Sequence, residues 1–531
     1  MIRIQNIKLA FDHDPDALKK AVLHRLNIPE SDLIRIDIVR KSIDARKKHR
    51  ISSVYSVDVK VRNIVTVLNA TSEDNTIRPT PDLGYRAPAP VHPAGGPPVV
   101  VGSGPCGLFA ALVLAQAGLC PILVERGKEV GSRVRDVRNF WRNGEFNSES
   151  NVLFGEGGAG AFSDGKLTTQ IRDGNNRIRK VLEELVRAGA PQEILFQARP
   201  HIGTDNLIKV VKNLRTSILS LGGQFRFQTT LTDVSAKNGE LCGAVVNHEE
   251  MIETSHLVLA LGHSARDTFR MLHRNHIPME AKPFSMGVRI EHPQQMIDEI
   301  QYGRLASHPM LGPSDYRLVQ HCKNGRAAYT FCMCPGGQVI ASSSEPGGIV
   351  TNGMSLYARN GPNANSALLV GVNPVDYEDV GPLSGVLFQR TWEQKAFQAG
   401  GGNYFAPVQL VGDFLLGRAS ASLGKIIPSY TPGATLGDLS ECLPDFVVQT
   451  LRLALPAMDK KLKGFAMADA VMTAIESRSS SPVRILRDRS FQSPSMKGLY
   501  PGGEGAGYAG GIVSSAVDGI KVAEAVAAQY L

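Results

Sequence analysis

Three glycines and one acidic residue form the most specific chemical pattern in this sequence. Gly102, Gly104 and Gly107 have G-x-G-x-x-G spacing, follow the apolar run PPVVV, and precede an apolar helical segment. Glycines at these positions allow a tight turn and a close approach to a pyrophosphate, which the helix N-terminus can bind. Glu125 ends the next predicted strand, where a carboxylate can accept hydrogen bonds from a ribose. The pattern predicts a dinucleotide-binding βαβ unit.

A second glycine-rich stretch, PGGEGAGYAGGI, lies near the C-terminus at residues 501–512. It contains Glu504, and an amphipathic helical segment follows it directly. Glycine has the highest backbone-entropy cost of any residue, so this density indicates a backbone that passes very close to a ligand. The strings GEGGAG at 155–160 and GAGYAG also match the glycine motif literally. Both lack the strand–helix–strand context, so neither is predicted to be a second nucleotide fingerprint.

A third segment points to the same ligand. Residues 204–262 read as a helix, several strands and the apolar strand of SHLVLALGHSA, which ends in the tight turn Ala260-Leu261-Gly262. An NAD-binding domain of this type is usually continuous and needs no C-terminal loop to complete it. Three separated segments around one ligand therefore favour FAD over NAD(P).

This layout resembles that of the glutathione-reductase-like FAD/NAD(P)-binding superfamily. The strings FGEGGAGAFSDGKL, VLALGHSARDTF, FCMCPGG, ESRSSSPVRI and GLYPGGEGAGYAGGI look more closely like a group of bacterial FAD-dependent dehydrogenases with an N-terminal extension. Leu261 departs from the threonine of that superfamily's Ala-Thr-Gly turn. Members of the group largely lack an assigned substrate, so the resemblance implies a cofactor and a fold but no particular reaction.

The resemblance implies non-covalently bound FAD, held by four segments. The first motif holds the ADP half, and the loop at 155–166 runs along the flavin or its ribityl chain. Glu504 holds the ribityl hydroxyls, and Gly505 to Gly511 face the pyrimidine end of the flavin. The expected cofactor-binding residues are Gly102, Ser103, Gly104, Pro105, Cys106, Gly107, Glu125, Arg126, Gly157, Gly158, Gly160, Asp164, Lys166, Ala260, Gly262, Gly503, Glu504, Gly505, Gly507, Tyr508, Gly510, Gly511 and Ile512.

The catalytic residues stay open. Lys166 could stabilise negative charge on the reduced flavin, or it is a solvated loop lysine. His292 and Tyr404 could donate a proton to the substrate, although a structural role is the favoured interpretation of each. Cys332 and Cys334 share one face of a predicted strand, and their alternative is simple burial. The hydroxyls and arginines of ESRSSSPVRI suggest an anionic substrate or the flavin edge, through Arg478, Ser480, Ser481 and Arg484.

The main interpretation is an FAD-dependent oxidoreductase that transfers hydride between flavin N5 and an organic small molecule. The electron donor is open, because NAD(P)H, the substrate or another carrier would each serve. The alternative is an RNA-modifying flavoprotein, since residues 1–62 hold 14 Lys+Arg against 8 Asp+Glu. The densest basic run is Val39 to Arg50, and a solvated surface explains it as well. The sequence leaves the oligomeric state open.

The predicted fold is α/β: a discontinuous Rossmann-like FAD-binding domain, an inserted α+β substrate domain and a small N-terminal α/β domain. The expected boundaries are 1–78 for the basic domain, 79–97 for a Pro-rich linker, 98–269 and 457–531 for the FAD-binding domain, and 270–456 for the substrate domain. Seven irregularly spaced cysteines indicate neither a disulfide framework nor a metal site. With no signal peptide recognised and glycines interrupting the apolar stretch at 99–124, we expect a cytoplasmic protein without a membrane span.

Overall fold

The computed structural model describes residues 1–89, 96–377 and 380–530. The predicted linker at 79–97 therefore falls partly outside the described residues. The N-terminal domain is a four-stranded sheet in the order β2-β3-β1-β4, with two helices. Its elements are β1 (Ile2–Ala10), α1 (Ala17–Leu26), β2 (Leu33–Asp44), β3 (Ser52–Val61), α2 (Ile64–Ala70) and β4 (Ile77–Pro79).

The second unit begins with the predicted βαβ unit. Its elements up to the inserted domain are β5 (Val99–Val101), α3 (Pro105–Gln116), β6 (Ile122–Glu125), α4 (Val130–Asn143), α5 (Arg177–Arg187), α6 (Thr204–Ser220), β7 (Gln224–Phe227), β8 (Leu231–Lys237), β9 (Glu240–Val246), β10 (Glu250–Glu253), β11 (Leu257–Leu259) and α7 (Arg266–Arg274). The strands β8 to β10 form a separate antiparallel sheet.

The inserted domain is built on a seven-stranded mixed sheet in the order β14-β15-β18-β13-β21-β19-β20. Its elements are β12 (Met279–Ala281), β13 (Phe284–Pro293), α8 (Gln294–Tyr302), β14 (Val319–His321), β15 (Ala327–Cys334), β16 (Gln338–Ala341), β17 (Thr351–Met354), β18 (Asn363–Val372), α9 (Ser384–Ala399), β19 (Ala406–Leu410), α10 (Val411–Leu416), β20 (Ala434–Leu436), α11 (Asp445–Asp459) and β21 (Val471–Glu476).

The chain then returns to the first sheet through β22 (Val483–Ile485), β23 (Leu499–Pro501) and α12 (Ile512–Ala527). This sheet has the order β23-β11-β5-β6-β7, and all of its strands are parallel. Helices α3 and α12 pack on one face, where they bury apolar side chains such as Phe109, Leu112 and Ile520. The protein is therefore an α/β protein with a discontinuous Rossmann-like domain.

One predicted boundary differs from the architecture. The predicted end of the inserted domain is residue 456. However, β21 lies inside the seven-stranded sheet and is hydrogen-bonded to both β13 and β19. Its six residues are all buried, as a strand in the middle of a sheet must be. We therefore propose that the inserted domain extends to about residue 479.

The basic run at 39–50 covers the end of β2 and the exposed turn before β3. Among the described helices, none is both long enough and apolar enough to cross a bilayer.

Candidate functional site

A deep cavity lies at the carboxyl ends of β5, β6 and β11, which is where parallel α/β sheets commonly bind ligands. It encloses about 1590 Å³ of open space, including its mouth. Its walls include the turn between β5 and α3, the end of β6, the loop at 158–166, the turn after β11, the N-terminus of α12 and several residues of the inserted domain. The cavity thus joins segments that are about 400 residues apart in the chain.

The turn at 102–107 is shaped by close backbone contacts. Gly102 has φ +99°, and a Cβ there would lie 2.3 Å from the carbonyl oxygen of Ala260. A Cβ at Gly107 would lie 1.8 Å from the carbonyl oxygen of Gly102, so Gly107 packs the helix against the turn and does not line the cavity. Gly104 lines the cavity, and a Cβ there would meet nothing closer than 3.8 Å. The backbone is therefore open to a ligand at Gly104 and at the N-terminus of α3.

Glu125 lies at the end of β6 and is almost completely buried. Its Oε2 accepts hydrogen bonds from the backbone N–H of Ser103 at 2.9 Å and from the Ser103 hydroxyl at 2.7 Å. Its Oε1 accepts from the N–H groups of Gly127 and Gly155, at 2.9 and 3.0 Å. Four protein donors therefore already surround the carboxylate that the sequence assigned to a ribose. Arg126, beside it, pairs with Glu149 and Asp267 at the mouth of the cavity.

The loop at 155–166 is held from beneath by Arg133, which the sequence analysis missed. This arginine is fully buried, and its guanidinium donates to the carbonyl oxygens of Asn151, Val152 and Glu156 at 2.7 to 2.8 Å. Burial lowers the pKa of Arg133 to about 10. Gly158 and Gly160 line the cavity above it. Gly157 does not line the cavity, because its backbone packs against the side chain of Val211.

A charged group stands at the inner end of that loop. Asp164 accepts a hydrogen bond from Arg359 Nε at 2.9 Å and another from the hydroxyl of Ser355. Burial alone would raise the pKa of Asp164, but Lys166 and Arg359 lower it to about 2. Lys166 Nζ lies 3.5 Å from Asp164 Oδ2 and has no hydrogen-bond partner within the described ranges. Both Asp164 and Lys166 line the cavity, so one ammonium there is available to a ligand.

The C-terminal loop contributes fewer contacts than expected. Glu504, Gly510, Gly511 and Ile512 line the cavity, the last at the start of α12. Four expected contacts face elsewhere: Gly503, Gly505, Gly507 and Tyr508. The three glycines pack against neighbouring protein atoms, and the Tyr508 hydroxyl accepts a hydrogen bond from the N–H of Arg487. The glycines of this loop therefore serve its internal turns as well as the cavity.

Glu504 differs from the other acids of the site. Its carboxylate lines the cavity and makes no hydrogen bond or salt bridge within the part of the chain that the structure describes. Burial raises the pKa of Glu504 to about 7, with Lys282 opposing the shift. A half-buried acid without protein donors is suited to accept hydrogen bonds from ligand hydroxyls.

The turn after β11 adds residues that the motif alone did not predict. Ala260 and Gly262 line the cavity as expected, and His263, Ser264 and Thr268 join them. The ring of His263 lies 2.9 Å from the Ser264 hydroxyl. Burial, together with the nearby Arg478 and Arg266, lowers the pKa of His263 to about 3. The imidazole is therefore neutral at neutral pH. In the sequence, the signal for these additional cavity residues was His263, which directly follows the glycine turn.

The structure separates the residues of the predicted substrate cluster at 478–484. Arg478 lines the cavity, but its guanidinium is bound to Glu393 at 2.7 and 2.9 Å, and Arg266 binds the same carboxylate. Ser480 lies outside the cavity lining. The Ser481 hydroxyl donates to the carbonyl oxygen of Val483, and Arg484 pairs with Glu280 because β22 runs along β12, away from the cavity. The segment therefore anchors the two domains to each other.

Two of the catalytic candidates are also misplaced. His292 is completely buried, and its Nε2 lies 2.8 Å from the carbonyl oxygen of Phe465. Burial lowers its pKa to about 4. Tyr404 packs against Phe140 and Phe146 with ring centroids 5.2 and 5.3 Å apart. Neither residue lines the cavity: His292 is buried inside the inserted domain, and Tyr404 is partly buried where the inserted domain packs against Phe140 of α4.

Cys332 and Cys334 do line the cavity, at a bulge near the end of β15. Cys332 has φ +43°, and Cys334 Sγ lies 3.2 Å from the carbonyl oxygen of Cys332. Burial raises the pKa of the Cys334 thiol, although Lys166 opposes the shift, so this thiol is protonated at neutral pH. Cys332 is exposed to the cavity. Asn352 and Glu476 complete this side of the cavity, which the motifs did not predict.

The residues present fit a bound dinucleotide. Open backbone at Gly104 and the N-terminus of α3 suits a pyrophosphate. The free carboxylate of Glu504 suits a polyhydroxyl chain. Gly158 and Gly510, which face the cavity from opposite ends of the chain, leave a slot without side chains. The geometry is therefore that of a site for an extended ligand with a phosphate-rich end and a flat end.

Family models match three parts of the chain. Residues 1–60 match a domain of unknown function, DUF8436, and residues 100–162 match an NAD(P)-binding Rossmann-like domain. Residues 283–479 match the C-terminal domain-like region of FAD-dependent proteins. This last match ends where the inserted sheet ends, three residues after β21. The matches support an FAD-dependent oxidoreductase type of protein, and the alternative of an RNA-modifying flavoprotein gains no support from them.

Solved flavoprotein structures are similar at low identity. CtdE in complex with FAD is 12% identical, covering 82% of this chain and 84% of its own, with a TM-score of 0.30. Glycine oxidase from Bacillus cereus is also 12% identical, covering 82% and 95%, with a TM-score of 0.31.

A full-length relative is much closer in sequence. An uncharacterized protein of Clostridium beijerinckii is 50% identical over 534 aligned residues, which cover 100% of this chain and 99% of that protein. The chain therefore belongs to the same family as the Clostridium beijerinckii protein.

Proposed function

We propose that the protein is an oxidoreductase that binds FAD non-covalently and uses it to exchange hydride with an organic small molecule. One observation carries the proposal: a single cavity runs from the N-terminus of α3, past Glu504, to the N-terminus of α12 and the inserted sheet. The match of residues 283–479 to FAD-dependent proteins supports FAD over other dinucleotides. Bound FAD would supply a flavin N5 that accepts or donates hydride.

In this proposal the polar residues divide the work along the cavity. The backbone at Gly104 and the first amides of α3 bind the pyrophosphate, and the helix dipole favours its negative charge. Glu504 accepts hydrogen bonds from the ribityl hydroxyls. Gly510 to Ile512 bring the positive end of α12 towards the pyrimidine edge. Glu125 fixes the turns around the ADP half through its four donors.

The substrate would bind against the inserted sheet, where Cys332, Cys334, Asn352 and Glu476 line the cavity. Lys166 Nζ pairs with Asp164 at 3.5 Å and has no hydrogen-bond partner within the described residues, so it would hold a negative charge or supply a proton there. Glu476 is held by the buried guanidinium of Arg289. The walls around these groups would exclude water, which strengthens every electrostatic interaction inside.

The experiment that tests the proposal also identifies the electron donor. NAD(P)H, the substrate itself and another carrier each remain compatible with one dinucleotide-binding unit. Purified protein should carry flavin absorbance that survives desalting, and anaerobic addition of NADH or NADPH should show whether either bleaches it. Oxidants are then screened for recovery of the absorbance. Protein that is colourless and cannot be reconstituted with FAD overturns the proposal.

A further inference from the structure

Strand β2 forms an open edge of the N-terminal sheet. The sheet order β2-β3-β1-β4 leaves one side of β2 without a neighbouring strand. On that side, Lys41 is bonded to the backbone of Phe196 and Ala198, at 2.7 and 2.9 Å. Within the described residues, no backbone hydrogen bond is recorded on that side between Leu33 and Arg40. An edge of about eight residues therefore remains available for pairing.

This edge carries more exposed apolar surface than a monomer usually leaves on a strand. Ile34 is 53% exposed and Ile38 is 37% exposed, while Ile36 between them packs on the domain core. Natural edge strands are usually short, charged or covered, because an exposed apolar edge is a template for pairing.

The sequence of the edge is complementary to itself when it is reversed. Residues 32–40 read DLIRIDIVR, with Ile36 at the centre. If two copies pair antiparallel around Ile36, then Arg35 of each copy lies opposite Asp37 of the other. Ile34 lies opposite Ile38, Leu33 opposite Val39, and Asp32 opposite Arg40. Every apolar residue meets an apolar residue and every charge meets its opposite.

The local register supports this centre. Between the bulges at Ile34 and Val39, residues 35–38 pair regularly with β3. Alternation along that stretch places Arg35 and Asp37 on one face, and Ile36 and Ile38 on the other. Arg35 Nε already lies 2.9 Å from Asp37 Oδ2 within one strand, on a face where the two side chains are 62% and 42% exposed. Both charges are therefore free to exchange partners with a second copy.

We propose that β2 is a homodimer interface, in which two copies pair antiparallel about a two-fold axis at Ile36. The two four-stranded sheets then form one continuous eight-stranded sheet. Such an interface is isologous, because the same strand supplies both sides. Cross-strand ion pairs and isoleucine pairs on opposite faces fix the register. The residues involved lie outside the cavity lining, so the proposal does not depend on the proposed function.

Sedimentation of the full-length chain tests the proposal. The wild type should sediment at twice the 57.2 kDa of one chain. Arg35→Asp places two like charges opposite each other at both symmetry-related positions, and Asp37→Arg does the same with the opposite sign. Each variant should weaken dimerisation roughly tenfold or more. The double variant Arg35→Asp/Asp37→Arg restores both pairs and should dimerise like the wild type.

Mixing separates this interface from a folding defect. The Arg35→Asp chain has two acids and the Asp37→Arg chain has two arginines, so a mixture should form heterodimers although each variant alone is mainly monomeric. Arg226→Asp is the matched control, because it breaks the exposed pair with Glu250 away from β2, and it should dimerise normally.

Two results would overturn the proposal. One is a monomeric wild type over the accessible concentration range, which would leave the edge to an extended segment of another protein. The other is unchanged dimerisation of both single variants, which would place the dimer contact elsewhere on the chain.

Discussion

Two glutamates line the same cavity in opposite states. Glu125 is almost fully buried, and four protein donors surround its carboxylate. Glu504, at the other glycine loop, is half-buried and makes no hydrogen bond within the described ranges. Both follow from local backbone: three turns point their amides at Glu125, whereas the turns near Glu504 point theirs elsewhere. The difference separates an acid that organises the site from an acid that is open to a ligand.

The comparison changes the meaning of the glycine motif. A motif acid at the end of the second strand is usually interpreted as a ribose ligand. Here the same carboxylate joins the turn at Ser103, the turn at Gly127 and the loop at Gly155. Removal of Glu125 would therefore affect the shape of three cavity walls, whereas removal of Glu504 would leave no protein donor without its acceptor among the described residues.

The largest expected effect is that of Glu125→Ala. The change leaves three buried N–H groups and one hydroxyl without an acceptor, and each unsatisfied buried group costs about 1–3 kcal/mol. We expect a loss of more than about 3 kcal/mol in the free energy of unfolding, measured by denaturant titration of the apoprotein. Glu125→Gln keeps one acceptor oxygen and should lose less. Equal free energies of unfolding for Glu125→Ala and Glu504→Ala would contradict the distinction between a glutamate that organises the site and one that is open to a ligand.

The second prediction is a loss of FAD affinity without a loss of protein stability. Glu504→Ala removes an acceptor that has no protein donor, so the apoprotein should lose no stability, and above about pH 7 it should gain some because a buried charge is removed. If the carboxylate holds ligand hydroxyls, the dissociation constant for FAD should rise roughly tenfold or more. Quenching of flavin fluorescence on titration measures it. Unchanged affinity would show that Glu504 is not a cofactor ligand.

The third effect is a pH dependence that belongs to Glu504. Its folded-state pKa of about 7 lies above the usual 4.5, so the folded state binds a proton more tightly than the unfolded state. Its contribution to apoprotein stability is therefore present below about pH 4.5 and is lost as pH rises to about 7. Glu504→Gln should remove that slope from the difference between the two denaturation curves. A slope that persists in Glu504→Gln would assign it to another group.

The smallest effect on stability is expected for Lys166→Met. Lys166 Nζ makes no hydrogen bond within the described residues, so the substitution should change the free energy of unfolding by less than about 1 kcal/mol. If the ammonium stabilises negative charge on the reduced flavin, its loss should lower the midpoint potential of the bound cofactor. Spectroelectrochemical titration measures this, with Lys166→Arg as the control that keeps the charge. An unchanged midpoint potential would indicate that Lys166 acts on the substrate rather than on the flavin.

The sequence predicted the fold wherever local pattern was sufficient. The apolar strands around Gly102 and Glu125 and the turn at Gly262 have hydrophobic and glycine spacing that only parallel strands with tight turns satisfy. We propose a boundary at about residue 479 in place of the predicted 456, because β21 is placed by pairing with β13 and β19 rather than by its neighbours in sequence.

Side-chain roles were harder to predict because they depend on distant partners. Arg133 and Arg266 are among the most buried side chains, and no local motif distinguishes them from surface arginines. His292 and Tyr404 were attractive by residue type, yet tertiary packing places both in the core. Arg478 lines the cavity, but Glu393, 85 residues away in the chain, accepts hydrogen bonds from its guanidinium.

Because the Rossmann-like domain is discontinuous in sequence, the walls of its cavity are synthesised at different times. The wall at Gly102 is made early, whereas the wall at Gly511 follows about 400 residues later. At roughly 5–20 residues per second, the interval is roughly 20–80 s. During that interval a nascent chain would offer the ADP half of a cofactor only an incomplete pocket. Stable retention would begin only when α12 has left the ribosome and packed against α3.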